Sequence, residues 1–435
     1  MSFIENESDW LCTEILPELL TKGLLVDNYD DANLGTFQVS DIDIKMIGAE
    51  EAFMLTQCYR ATISFDYAGL RQQRKLVIKK TPPIPPETYD SISFDALFNN
   101  EIQFYTNILH EIQKISDGKF AAPKYYHSEI KPGFALLILG DFAEEGWSIT
   151  KDRVGLSLEH VRIAVKYLGS FHGFGYALKH CDSDKFFQLS AKLTEPRYAD
   201  DNIHPEWGLT IRTSSERVAK AVKKYQPEVD EEFVKKWEQL TGDYIDYGRK
   251  RVAPREPLAT LCHGDFLRNN IAYKYITTGG EAVPVDVMMF DYQTLRVSSP
   301  MIDLSVFLAN SVYANVRQKY FDSIFNDYCQ ALAKSFTEYS KKDIPEFLSR
   351  DNLIKEYIRF LPYSLGISAS FLMTLVDPPN VTSEEMFNNQ RTDEQVINDT
   401  MTRGGEVVDK ELAHQIKEMQ DLSRLYQVEI DENIL

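Results

Sequence analysis

The chain has 435 residues, 43% of them apolar and 26% charged, and a formal net charge of −19. That is too long for one simple core and suits two closely coupled lobes. The acidity excludes broad binding to nucleic acid or to an anionic membrane surface, which needs a basic face, but not a local nucleotide site of Lys, Mg²⁺ and backbone N–H groups.

The opening MSFIENESDWLCTEILPELL has no basic region followed by an apolar run and does not look like a signal peptide. Leu11, Ile15, Leu19 and Leu20 recur at helical spacing and predict a helix over Trp10–Leu25. FQVSDIDIKMI, LTQCYRATISFDY and RKLVIKK are rich in β-branched and aromatic residues and predict three antiparallel strands, with breaks at Gly48–Glu51 and Ala68–Gln73. After the proline-rich Thr81–Glu87, FDALFNNEIQFYTNILHEI places Phe94, Leu97, Phe98, Ile102, Tyr105 and Leu109 on one helical face. FALLILGDF, Phe134–Phe142, reads as a short strand ending in a turn.

Beyond Trp147 the pattern becomes mainly helical. LEHVRIAVKYLGSFHGFGYAL and VDEEFVKKWEQLTGDYIDYGRK are helix candidates on either side of a polar, low-periodicity stretch at Glu195–Ser215. Two strand-like runs interrupt the helices, LATLCHGDFLRNNIAYKY and VPVDVMMFDYQTL. The most apolar late stretch, Leu361–Val376, holds Pro362 and Gly366 and is short for a membrane span, so it reads as a buried helix. Five cysteines, Cys12, Cys58, Cys181, Cys262 and Cys329, show no CxxC spacing, which predicts reduced thiols in a cytoplasmic protein. Strands first and helices after give an α+β fold class.

HGDFLRNN carries the strongest chemical signal. Asp265 and Asn270 stand five residues apart, the spacing that a kinase catalytic loop uses to set a base at the attacking hydroxyl and an amide at a phosphate-bound metal. Downstream, VMMFDYQ ends an apolar run at Asp291, a carboxylate suited to Mg²⁺, which prefers hard oxygen ligands. Upstream, Lys79 closes the strand LVIKK and Glu101 lies on the next helix, matching a phosphate lysine and its helix partner. Lys80 rivals Lys79, but alternation puts Lys79 on the face opposite Ile78. No HExxH-type pair of histidines exists; His172 reads as a packing histidine and His263 as an orienting group of the loop.

HGDFLRNN, FDYQ, SPMIDL, VIKKTPP and FNNEIQFY together resemble the CHK kinase-like or ecdysteroid kinase-like family of arthropods and nematodes, itself similar to choline kinases and aminoglycoside phosphotransferases, from roughly Leu16 to Asp421. The resemblance implies a two-lobed protein-kinase-like fold. It places a β-rich, nucleotide-binding N-lobe at residues 1–140 and a mainly helical C-lobe at 141–435, with the catalytic loop, the metal site and acceptor-binding helices. It implies transfer of the ATP γ-phosphate to an alcohol on a small molecule, an ecdysteroid, other steroid or xenobiotic, with ATP and Mg²⁺ as cofactors. Asp265 would be the base, Asn270 and Asp291 metal ligands, Lys79 and Glu101 the phosphate pair, Asp303 a brace for the loop, and Leu139–Phe142 the adenine hinge, with Leu139 and Asp141 in it and Gly48 opening the phosphate loop. Two departures are visible: Ala52 stands where the family has Asn, and Gly140 where the hinge has Glu. The eight residues between Asp291 and Pro300 are too few for a phosphorylatable activation segment, which favours small acceptors over proteins. A choline- or aminoglycoside-type kinase and a silent ligand-binding pseudokinase are the alternatives.

Overall fold

A computed structural model describes residues 7–27, 29–30, 36–48, 55–151, 154–199, 203–389 and 391–431. They form an α+β fold of two compact units. The first comprises Met1–Pro86, Pro123–Trp147 and Asn380–Asn389, and the second Glu87–Ala122, Ser148–Pro379 and Gln390–Leu435. The units are thus interleaved in sequence rather than parted at residue 140. The helix Phe94–Gln103 that bears Glu101 groups with the second unit.

The first unit is built on an antiparallel sheet of five strands: β1 (Gln38–Met46), β2 (Gln57–Tyr67), β3 (Leu70–Lys80), β4 (Tyr125–Lys131) and β5 (Phe134–Gly140), in the order β1-β2-β3-β5-β4. Alternation puts Ala61, Ile63 and Phe65 of β2, Leu76 and Ile78 of β3, and Leu136 and Ile138 of β5 on one face. Leu11, Leu16, Leu19 and Leu20 from the N-terminal helical segment cover that face. The segment ends at Thr21, not Leu25, because Gly23 turns the chain at φ 72°. Tyr67 pairs with Leu70, so the β2–β3 break is only Ala68–Gly69, both at positive φ, rather than six residues. The strand β4 was not expected from the sequence. Residues 380–389 join this unit through a short helix with a Thr382/Glu385 capping box, and Gln57 Nε2 donates to Glu384 Oε2 at 3.5 Å.

The second unit is largely helical, with two small antiparallel ribbons. One pairs β6 (Thr260–Cys262) with β9 (Arg296–Ser298), the other β7 (Ile271–Thr278) with β8 (Glu281–Met289). The Leu158–Cys181 helix lies close against the Ala314–Ser340 helix because two glycines make room. A Cβ on Gly169 would fall 2.4 Å from the Tyr328 carbonyl, and one on Gly173 2.6 Å from that of Leu332. Trp237, Leu365, Leu372, Leu412 and Ile416 centre another helical core. Among the described residues one helix, Arg350–Val376, is long and apolar enough to cross a membrane, and 72% of its apolar window is buried inside the protein.

Candidate active site

The loop from His263 to Asn270 runs between the two ribbons, leaving β6 and entering β7. Gly264 sits at φ 82°, and a Cβ there would lie 2.1 Å from the Thr294 carbonyl, so only glycine fits. Its backbone is held by Asp303, from the first turn of the Met301–Ser311 helix. Asp303 accepts the His263 N–H and the Gly264 N–H, each at 2.7 Å. His172 Nε2 reaches the same carboxylate at 3.0 Å, and its Nδ1 meets the Tyr328 hydroxyl at 2.7 Å. Asp303 is 1% exposed and His172 is fully buried. Burial alone would raise the Asp303 carboxyl. The bond from His172, the nearby imidazoles and the Gly264 N–H outweigh it and hold the carboxyl below its ordinary value.

His172, Cys262 and Asp303 bring their donor atoms within 4.8 Å of one another. Both Asp303 oxygens already take N–H groups, and Cys262 Sγ faces the carbonyls of Ser298 and Ser299 at 3.4 and 3.5 Å. Burial, and then the Asp303 charge, push the Cys262 thiol well above its usual value, away from the thiolate a metal would bind. His172 and Asp303 form a hydrogen-bonded brace for the loop, while Cys262 bonds only backbone carbonyls.

At the loop's other end, Asn270 N–H bonds the Leu267 carbonyl at 2.9 Å, and Asn270 Nδ2 turns back to the Asp265 carbonyl at 2.8 Å and to Asp265 Oδ2 at 3.2 Å. The β7–β8 register pairs Ile271 with Met289, and the Phe290 N–H extends the ladder to the Asn270 carbonyl at 3.0 Å. Asp291 is therefore delivered next to Asn270, in left-handed backbone at φ 66° and ψ 68°, which Asp tolerates better than most residues. His263 links the same two segments: its Nε2 donates to the Phe290 carbonyl at 3.0 Å, and its Nδ1 faces the Asp265 N–H at 3.3 Å. Asn270 Oδ1 takes the Asn269 amide at 3.2 Å and keeps a second lone pair. One amide oxygen and one carboxylate are hard donors of the kind Mg²⁺ takes, so the residues present fit that ion.

Glu101 lies in the same unit, fully buried. Tyr105, one turn on, feels both carboxylates: burial first, then the charges of Glu101 and Asp291, push its phenol well above its usual value. The second unit thus assembles Asp265, Asn270, Asp291 and Glu101.

Lys79, Leu139, Asp141 and Gly48 belong to the first unit. Lys79 is 7% exposed, pairs in register with Cys58 and Leu137, and lies on the sheet face away from Leu76 and Ile78. Lys80 shares the face of Leu76 and Ile78 and spends its Nζ on Gln57 Oε1 at 3.1 Å. Leu139 pairs with Val77. The Asp141 N–H bonds the Lys75 carbonyl, its carboxylate caps the turn by accepting from Ala143 N–H at 3.0 Å, and it pairs with Arg60 at 3.2 Å. Gly48 is separated from β1 by Ile47 alone; the rest of the expected phosphate loop, with Ala52, lies outside the described residues.

One residue beside Asp265 carries no signal in the sequence. Arg197 Nη2 lies 3.1 Å from Asp265 Oδ1. It sits in the polar stretch after Glu195, where neither periodicity nor a motif marks it.

A model of the ecdysteroid kinase-like family matches residues 50–340. Solved structures similar to the chain include a spectinomycin phosphotransferase in complex with ADP and spectinomycin, at 10% identity and a TM-score of 0.37, covering 83% of this chain and 94% of that one. An aminoglycoside-3'-phosphotransferase of type VIII matches at 12% identity and a TM-score of 0.27, over 72% of this chain and 93% of that one. An aminoglycoside phosphotransferase from Streptomyces rimosus, in complex with ADP and streptomycin, matches at 15% identity and a TM-score of 0.23, over 66% and 86% of the two chains. No curated protein matches the chain.

Proposed function

The chain belongs to the ecdysteroid kinase-like family, and from that premise we propose that it transfers the γ-phosphate of ATP to an alcohol on a small molecule, an ecdysteroid or another hydroxylated steroid or xenobiotic. What supports this reading is that Asn270 bonds Asp265 within the loop while the β7–β8 register brings the backbone that carries Asp291 beside Asn270.

In this reading the first unit binds the nucleotide, with Lys79 at its phosphates and the Leu139–Asp141 segment at its base. The second unit supplies the base, the metal ligands and the acceptor-binding helices. Asp265 accepts the proton of the acceptor hydroxyl as its oxygen bonds to the γ-phosphorus, and the bond from that phosphorus to the β–γ bridging oxygen breaks, releasing ADP. Asn270 and Asp291 would hold Mg²⁺, which when bound neutralises phosphate charge. His263 and Asp303 keep the loop in shape. The protein contributes mainly position and charge. Five free thiols suit an ATP-using enzyme of the cytoplasm.

The test is ATP turnover against a panel of hydroxylated acceptors, with phosphorylated products identified by mass spectrometry. Asp291→Ala should abolish the Mg²⁺-dependent part of the ATP-induced rise in melting temperature. An unchanged rise would place the metal on other ligands.

A further inference from the structure

The segment from Thr194 to Tyr198 is anchored at almost every residue. Thr194 N–H donates to Asn100 Oδ1 at 2.9 Å, and Asn100 Nδ2 returns to the Thr194 carbonyl at 2.7 Å and reaches the Gln293 carbonyl at 3.3 Å. Glu195 pairs with Arg296 at 3.2 Å and accepts the Arg197 N–H at 2.9 Å. The Tyr198 hydroxyl meets those of Tyr244 and Tyr363 at 3.0 and 3.1 Å, and Arg249 donates to the Tyr198 carbonyl at 2.8 Å. These partners come from the Glu101 helix, from the turn just after Asp291 and from the helical part of the unit. Arg197 is the member of this strap that reaches the base.

We propose that Arg197 is a positioning residue for Asp265, a role that rests on the kinase reading above. The carboxylate is gripped at both oxygens, Oδ1 by Arg197 and Oδ2 by Asn270. Two grips fix its rotation, whereas either one alone leaves it free to turn about its last bond. Each carboxylate oxygen keeps a further lone pair, so an acceptor hydroxyl can still approach. Arg197 remains a cation: burial works against its charge, but Asp265 and the surrounding phenols raise its pKa further. The anchors on either side hold the guanidinium still, which gives the grip its value, since a misplaced catalytic group loses rate steeply.

The experiment compares the full chain with Arg197→Met, Arg197→Lys, Asp265→Asn and the Met/Asn double variant, using ATP and ecdysone as probes. Arg197→Met should lower kcat about 10- to 100-fold and leave the KM for ATP within about twofold, and Arg197→Lys should recover part of the loss. The double variant should be no slower than Asp265→Asn by more than about twofold, because Arg197 acts through that carboxylate. An unchanged kcat in Arg197→Met, or an independent loss in the double variant, overturns the role. A crystal structure of Arg197→Met decides the matter without turnover. The Asp265 carboxylate should be rotated away from Asn270 or split between two rotamers, and a carboxylate left in its wild-type place overturns the proposal. Absence of phosphotransfer by the wild-type chain would defeat the kinase reading alone, and the position of the carboxylate would then decide the role of Arg197.

Discussion

Two aspartates meet the same loop, and their surroundings differ in kind. Asp303 is 1% exposed and its oxygens are filled by the N–H groups of His263 and Gly264 and by His172. Asp265 keeps 25% of its side chain exposed, and its neighbours, Arg197 and Asn270, grip it without closing it off. The first carboxylate is used up by holding backbone, while the second is held so that it stays available. On the proposed function, stability would fall to Asp303 and reactivity to Asp265, and substitutions should separate them.

The largest effect expected falls on the buried partner. Asp303→Ala leaves two loop N–H groups and His172 without an acceptor and should lower stability by about 3–5 kcal/mol, read from urea unfolding. Asp265→Asn should lower kcat about 100-fold or more, close to 3 kcal/mol of barrier, while shifting stability by less than about 1 kcal/mol. A large loss of stability in that variant would erase the contrast between the two aspartates. Tyr328→Phe removes the hydroxyl on the far side of His172 and should destabilise by about 1–2 kcal/mol.

The smallest effect sharpens the comparison through pH. Because the folded Asp303 carboxyl is held below its unfolded value, its share of stability is fully present above about pH 4 and is lost as pH falls through the folded value. Asp303→Asn should therefore flatten the acid side of the stability profile relative to wild type, measured by urea unfolding at a series of pH values. An acid limb as steep as that of the wild type would mean that other carboxylates set it.

Local signals in the sequence carried far, and distant pairings did not. That Asp265 and Asn270 come together is legible because both lie in one short loop, five residues apart. Strands β2, β3 and β5 are legible because their apolar residues alternate or run together over a sheet face. β4 is not: YYHSEIK is mostly half-buried at the edge of the sheet, so its apolar and polar residues do not separate. The β2–β3 turn was drawn too long because Ala68 takes left-handed backbone without being Gly or Asn. Arg197 meets a partner 68 residues away, and His172 one 131 residues away. No window of sequence contains such a pair, and only close helix packing over Gly169 and Gly173 brings His172 into place.

The interleaving of the two units has a consequence for how the protein is made. The chain changes unit after residues 86, 122, 147, 379 and 389. No single proteolytic cut can release either unit whole, and a gene truncated before residue 380 would encode a first unit lacking one of its parts. During synthesis the β-sheet can form early, but its own unit is completed only after residue 389 has left the ribosome.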